Sequence, residues 1–265
     1  MSNFSDKINR MVWSYSRISA FKQCKYAFYL QYLLKDFDDY PQEDNFYAES
    51  GSYVHKILEM VFSGKLKPED AYPYYVEHFD DAITCKVKPS ILENTYEACA
   101  DYLDTLDLSK LSDYEILGVE QEIETEIEGY HFTGFIDLLL QNKKTRKIIL
   151  VDHKSAKYPF KSDGSVLKNS KSSFYSYKKQ MYLYAHAVNE KYGQFPTIIA
   201  WNHFKNGKIA QIKFKKSDYQ KAILWFIKTI HEIENEEEFP AKKDYFYCHN
   251  LCSFRNSCEY VNMKD

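Results

Sequence analysis

The sequence predicts an α/β fold in which a mixed central sheet is flanked by helices. Three observations lead there: an apolar and aromatic content high enough for a packed core, helical periodicity up to about residue 112, and then short alternating or apolar runs punctuated by turn signals. Of the 265 residues, 45% are hydrophobic and 17% aromatic, with 24 Tyr, which is too much for a disordered chain. This length allows one large domain or two small ones. With no internal repeat and no Pro/Gly-rich linker, the expectation is a single domain over 1–265.

Taken in order, Ser16 is a good N-cap for a short helix through Phe21, and a second, aromatic-rich helix is expected from Tyr26 to Leu34, with Cys24 at their junction. From Gly51 the residues Val54, Ile57, Leu58, Val61 and Phe62 follow helical spacing, and a further helical segment covers Ser90 to Leu106. Residues 51–112 thus read as helical. Ile116 to Ile127 then alternates, Phe132 to Leu140 is apolar, and Ile148 to Val151 is a short apolar run; these read as strands, the last two forming an antiparallel hairpin across the polar stretch 141–147. A long helix is expected from Phe174 to Lys191. Thr197 to Phe204 and Lys208 to Phe214 flank Asn206-Gly207, a hairpin-turn signal. A last helix from Ser217 to about Asn235 precedes a cysteine-rich tail.

Charge excludes little, because a net −3 gives no bulk attraction to nucleic acid, and any DNA site must be a local patch. No apolar run reaches the roughly 18 residues of a membrane helix, and the first thirty residues carry Asp6, Lys7, Arg10, Arg17, Lys22 and Lys25 without a signal-peptide core. The expectation is a cytoplasmic protein with no membrane partner, in which six cysteines serve ligation better than disulfides.

Asp152 and Lys154, two apart on a strand, leave the same face. The turn centred on Lys144 places Asp137 roughly opposite Asp152 on the neighbouring strand. Two aspartates and a lysine then converge. Carboxylates are the hard oxygen ligands that Mg²⁺ or Mn²⁺ accepts, and a lysine beside them neutralises a phosphate or holds the attacking water. D-x-K alone is equally a solvated strand end with a surface ion pair.

More residues match than these. Gly134-Phe135-Ile136-Asp137 followed by Ile149-Leu150-Val151-Asp152-His153-Lys154-Ser155 resembles the G-x-I-D and V-D-x-K-[TS] motifs of RecB-like PD-(D/E)xK nucleases. Gln180-Met181-Tyr182-Leu183-Tyr184 resembles the family's Q-x-x-x-Y helix motif, whose glutamine and tyrosine line the active site. Gly51-Ser52-Tyr53-Val54-His55 resembles G-x-x-x-H, whose histidine is a metal ligand or close neighbour. Glu120 is similar to an acidic residue near the start of the family's first core strand, although Glu122 competes for that alignment. The motifs occur in the family's order over residues 51–184. The resemblance implies a restriction-endonuclease-like core at 113–235 with a helical insertion at 51–112, Asp137, Asp152, Lys154, Gln180 and Tyr184 as catalytic residues, and His55, Glu120, Asp137 and Asp152 as metal ligands. His153, where aromatic or aliphatic residues are more usual, points to the opposite face and reads as packing.

Cys248, Cys252 and Cys258 crowd together while Cys24 stands near the other end. Four thiolates make a tetrahedral site for zinc or an iron–sulfur cluster, and spacing alone does not choose. Ser14-Tyr15-Ser16 through Phe21 and Cys24, with Cys252-Ser253-Phe254 and Cys258, resemble the terminal cluster motifs of RecB-like nucleases and of the CRISPR-associated nuclease family. That resemblance implies a [4Fe-4S] module at 14–34 and 240–262 joining the N- and C-termini, with Zn²⁺ as the alternative. The first downstream pair is C-x3-C where the family usually has C-x2-C. Cys85 and Cys99 lack partner spacing and are expected as small core residues on the helical part.

Residues 154–179 hold seven lysines against one acid, Asp163. With Tyr158, Phe160, Phe174, Tyr175 and Tyr177 interleaved, Lys157, Lys168, Lys171, Lys178 and Lys179 are the expected DNA contacts, though a Lys/Ser-rich stretch can equally be a solvated loop. The acidic run Glu232 to Glu238 reads as a solvated helix end. The resulting expectation is an Mg²⁺- or Mn²⁺-dependent deoxyribonuclease, an exonuclease or end-processing enzyme of recombination, repair or phage replication, with a separate helicase, recombinase or annealing protein as partner. The alternative is a catalytically silent DNA-binding or assembly subunit of the same fold.

Overall fold

The computed structural model describes residues 4–34 and 45–261. Residues 1–3, 35–44 and 262–265 lie outside the described residues, and so do those parts of the expected 1–265 domain and of the 240–262 segment. The elements are α1 (Ser5–Asn9), α2 (Tyr15–Gln23), α3 (Lys25–Phe28) continued by a π-helical turn over Tyr29–Leu33, α4 (Phe46–Phe62), α5 (Ala71–Glu77), α6 (Phe79–Ala82), α7 (Pro89–Asp104), β1 (Tyr114–Ile127), β2 (Tyr130–Asn142), β3 (Ile148–Lys154), α8 (Lys171–Tyr192), β4 (Ile198–His203), β5 (Lys208–Lys213), α9 (Lys216–Glu234) and α10 (Tyr245–Asn250).

The strands form one five-stranded sheet in the order β1-β2-β3-β4-β5. β2 and β3 are antiparallel with Leu138 opposite Val151. β4 lies parallel to β3, reached through the α8 crossover, and β5 closes the sheet antiparallel. The apolar run in β3 ends at Val151, yet the strand continues through Asp152, His153 and Lys154 because these pair with Trp201, Asn202 and His203 of β4. A parallel neighbour drawn from fifty residues away leaves no trace in the local hydrophobic pattern, so the polar end of the strand is a tertiary effect.

Local differences from the sequence reading have local causes. Ser14, not Ser16, caps α2: its extended backbone lets the side chain accept from the Arg17 N–H at 3.3 Å, whereas Ser16 already lies in the first turn. α4 starts at Phe46 because the buried stripe runs back through Ser50 and Phe46 from Tyr53, Val54, Ile57, Leu58 and Val61. Between β4 and β5 the turn is a four-residue loop with His203 opposite Lys208, and Gly207 takes the left-handed conformation at φ +56° that ends it. Cys99 is a fully buried core residue of α7, but Cys85 sits half-buried in the loop between α6 and α7, its N–H donated to Glu49.

The chain divides into two compact units, one of residues 1–45, 124–134 and 220–265, the other of 46–123 and 135–219. The first is built on aromatics: Trp13 bridges to Phe132, Phe132 meets Phe226 edge-on at 5.6 Å, and Phe239 lies among Phe21, Phe28 and Tyr29. In it the acidic run that ends α9 is the solvated helix end expected, with Glu237 and Glu238 exposed, although Glu232 and Glu236 also pair with Lys22 and Lys25. The second packs Val54, Ile57, Leu58 and Val61 of α4 against Tyr75, Cys99, Leu103 and Phe204, and holds Leu138, Leu140, Val151 and Ala200 together on the sheet. Among the described residues, no helix is long and apolar enough to cross a membrane.

Candidate active site

Strand alternation sends His153 to one face of β3, and Asp152 and Lys154 to the other. On the Asp152 face, the Lys154 ammonium lies 2.8 Å from the Asp152 carboxylate and 3.3 Å from Gln180 Oε1 on α8. Gln180 Nε2 in turn donates to the Tyr184 hydroxyl at 3.3 Å, one helical turn on. Burial works against the Lys154 charge, but Asp152 beside it, with Asp137 and Tyr177 adding to its effect, holds its pKa above the ordinary value, so it stays an ammonium. Burial pushes the Tyr184 phenol up to about 12, so it stays a hydroxyl.

Continuing the β2–β3 register by one step puts Asp137 across from Asp152. His55, Glu120 and Asp137 each offer a donor atom, all within 4.8 Å of one another; His55 Nδ1 is 3.6 Å from Asp137 and 3.9 Å from Glu120. One residue holds two of the three donors: the His153 N–H donates to Asp137 Oδ2 at 2.6 Å, and the His153 carbonyl lies 3.0 Å from His55 Nε2. With Nε2–H donating to that carbonyl, Nδ1 is the nitrogen that faces the carboxylates. Burial, with the Asp152 charge added, pushes Asp137 up to about 7. Burial opposes charge on His55, but Glu120 and Asp137 raise its pKa nonetheless. A carboxylate pushed up and an imidazole pulled toward its cation both signal that positive charge is wanted at this point. An imidazole nitrogen and two carboxylates suit a divalent ion. Asp152 stands apart from this group: Lys154 holds it, and its Oδ2 has no directed hydrogen bond.

Glu120 reaches the group through a distortion. Its φ is +43°, left-handed for a non-glycine residue, and it interrupts the alternation of β1. Glu122 beyond the kink is exposed, so the structure brings Glu120 rather than Glu122 to the other donors. The strain is worth roughly 1–3 kcal/mol at such positions, and nothing in the sequence marks it.

His153 itself packs inward. Its ring stacks on Phe62 of α4 at 5.7 Å, and Asn202 Nδ2 lies 3.0 Å from its Nδ1 and 2.7 Å from the Tyr102 hydroxyl. Burial drives its pKa down to about 3, so it is neutral. Asn202 and Tyr102 buttress the residue that carries Asp137 and His55, and no motif singles them out; the only sequence signal was a polar residue in an apolar strand.

The lysine-rich segment divides. Lys157, Lys168 and Lys171 are exposed, Lys178 is paired with Asp218 at 3.0 Å, and Lys179 is half-buried. Of the aromatics expected to meet bases, Phe174 packs on Trp201 and Phe160, Tyr158 meets His203, and Tyr177 lies 4.9 Å from the Lys154 ammonium. Tyr175, 56% exposed, faces solvent. In the other unit Cys24, Cys248, Cys252 and Cys258 all line one small cavity of about 20 Å³. The Lys242 N–H donates to Cys24 Sγ at 3.3 Å.

A family model for the PD-(D/E)XK nuclease superfamily matches residues 12–259. Among solved structures, the chain resembles the crystal structure of a "putative exonuclease" from Eubacterium rectale, at a TM-score of 0.50 and 16% identity over 99% of this chain and 92% of that one, a likeness of fold. No curated protein matches. With the family pattern running over nearly its whole length, the chain belongs to the PD-(D/E)XK nuclease superfamily.

Proposed function

We propose that this protein is an Mg²⁺- or Mn²⁺-dependent deoxyribonuclease of the RecB-like kind, acting at DNA ends. The observation that carries the reading is the meeting, where β2 pairs with β3, of a three-donor group from α4, β1 and β2 with a buried Asp152–Lys154–Gln180 chain from β3 and α8. His55, Glu120 and Asp137, with Asp152 beside them, would hold the ion, which when bound acidifies water and offsets charge on the scissile phosphate. Lys154, kept charged by Asp152 and fixed by Gln180, presents its ammonium to a phosphate oxygen or to the attacking water. Tyr184 fixes Gln180. Lys157, Lys168 and Lys171 contribute phosphate contacts on the strand leading away. The setting we assign is cytoplasmic recombination, repair or phage replication, with unwinding supplied by a separate protein.

The cysteine site is proposed to hold a [4Fe-4S] cluster. Four sulfurs around one cavity support a four-thiolate centre. Four thiolates suit either tetrahedral zinc or a cluster, and the choice of the cluster rests on the resemblance of the terminal cysteine motifs.

The test is cleavage of end-labelled single- and double-stranded DNA in Mg²⁺, Mn²⁺ or EDTA. Cleavage with the metals and none in EDTA is expected, with loss in Asp152→Ala and Lys154→Ala while DNA is still bound. Tight binding without cleavage in the wild type would replace the nuclease by a silent DNA-binding subunit.

A further inference from the structure

α4 carries a stripe that the chemistry above uses only at its end. Tyr47, Gly51 and His55 recur every four residues and so share one face of the helix, with Lys56 beside them. Together with Glu120 and Ser155 they line an open cleft of about 610 Å³. His55 and Glu120 are two of the three metal donors, so the cleft opens directly beside the reacting centre. Its size falls within the roughly 300–1,000 Å³ that holds a drug-sized ligand, which is room for a nucleotide or two of one strand.

Gly51 shows what the cleft is kept clear for. A Cβ at this position would stand 3.6 Å from Ser155 Oγ and 3.9 Å from Ser155 Cβ, an ordinary contact, so packing does not require glycine there. The position is also mid-helix with no left-handed φ, where glycine is among the poorest choices. What a side chain would do is fill space between α4 and the end of β3. Tyr47 is 45% exposed, and Lys205 lies 6.0 Å from its ring centre; Lys56 is exposed. A half-exposed aromatic ring and an exposed lysine lining one cleft are the combination that stacks a base and neutralises its phosphate.

We propose that this cleft is the subsite for single-stranded nucleic acid next to the scissile phosphate, the backbone passing over Gly51, a phosphate meeting Lys56 and a base stacking on Tyr47. The substrate class rests on the nuclease reading; the cleft itself is tested by binding as well as by cleavage.

Gly51→Ala and Gly51→Leu are the decisive variants. Gly51→Ala should raise Tm by about 1–4 °C, since alanine is the better helix former. It should leave kcat and the Mg²⁺ half-saturation unchanged and raise KM for a labelled oligo-dT on the order of tenfold, with a larger rise for Leu. In the binding arm, Asp152→Asn protein in Ca²⁺ is titrated with oligo-dT and with a blunt duplex. Adding Gly51→Leu, Tyr47→Ala or Lys56→Gln to it should weaken oligo-dT more than duplex, and Lys56→Gln should lower the slope of log K against log salt by about 0.7. Unchanged KM and oligo-dT affinity in the Gly51 series would overturn the proposal. So would a raised Mg²⁺ half-saturation with unaltered oligo-dT affinity, which would assign Gly51 to the metal, or an equal loss for duplex. A wild type that cleaves nothing would count against the nuclease reading alone, because the binding arm still decides the cleft.

Discussion

The donor group around His55 and the cavity lined by four cysteines are built in opposite ways. At the first, neighbouring strands deliver Asp137, Asp152 and Lys154 by register, and the backbone of His153 holds both Asp137 and His55. At the second, the four cysteines come from α3's N-terminal edge and from a segment far along the chain, with Cys24 and Cys248 separated by 224 positions. A site assembled by a sheet can lose a side chain and keep its frame. If the four cysteines share a metal centre as proposed, that centre ties distant segments together and is part of the frame, and losing one of its ligands is a loss of stability first.

The largest effect should therefore fall on the cysteines. Closing a loop of this length stabilises by roughly 5 kcal/mol on the disulfide model, so Cys24→Ala, purified anaerobically, should lose its iron and its brown colour and melt about 10 °C or more below the wild type. Full metal content with an unchanged Tm would remove the four-cysteine centre. Lys154→Ala comes next: it should stay brown, melt near the wild type, and lose cleavage by at least about 10²–10³-fold, the effect of removing one preorganised charge donor. A colourless wild type with one zinc would change the staple's identity and leave the comparison standing.

Asn202 probes whether the sheet-built site depends on its buttress. Asn202→Leu removes the partner of His153 Nδ1 and of Tyr102, at a cost of about 1–3 kcal/mol for the unsatisfied groups. If His153 positions the donors, Mg²⁺ affinity should also fall about 10–100-fold; a lower Tm with unaltered metal affinity would make the network structural only.

Acidity offers a gentler probe. Burial, then Asp152, raises Asp137 to about 7 from its ordinary 3.8. In the metal-free protein this group favours the folded state fully below about pH 4, and that contribution is lost as pH rises through 7. A cation takes the place of the proton, so Mg²⁺ should raise Tm by more at pH 8 than at pH 5.5. Asp137→Asn should abolish the difference, and an equal Mg²⁺ effect at both pH values would contradict the donor assignment. The smallest differences lie among the lysines. Lys168→Ala and Lys171→Ala should each lower the salt slope of duplex binding by about 0.9, whereas Lys178→Ala, whose ammonium already pairs with Asp218, should change it less. Equal slopes for all three would mean that the pair opens on DNA.

Much of this was legible in the sequence. The helical first half, the β2–β3 hairpin with Asp137 facing Asp152, the long helix bearing Gln180 and Tyr184, and the spacing of the later strands all follow from periodicity and turn chemistry. What stayed hidden depends on the third dimension. Glu120 is separated from Glu122 by a left-handed kink that no alternation pattern encodes. The parallel partner that supports the polar end of β3, through Trp201, Asn202 and His203, is likewise set by tertiary pairing. Phe160 and Phe174, which in sequence sit among lysines like base-stacking residues, pack on each other and on Trp201 instead, because aromatic periodicity does not say which side faces water.

The most direct test of the account is a single comparison on purified protein: cleavage of a 5′-labelled oligonucleotide by wild type and by Lys154→Ala, each in Mg²⁺ and in EDTA, with melting curves on the same samples. The account predicts products only for the wild type in Mg²⁺, and melting curves for the two proteins that nearly coincide. Products from Lys154→Ala, or from the wild type in EDTA, would contradict it.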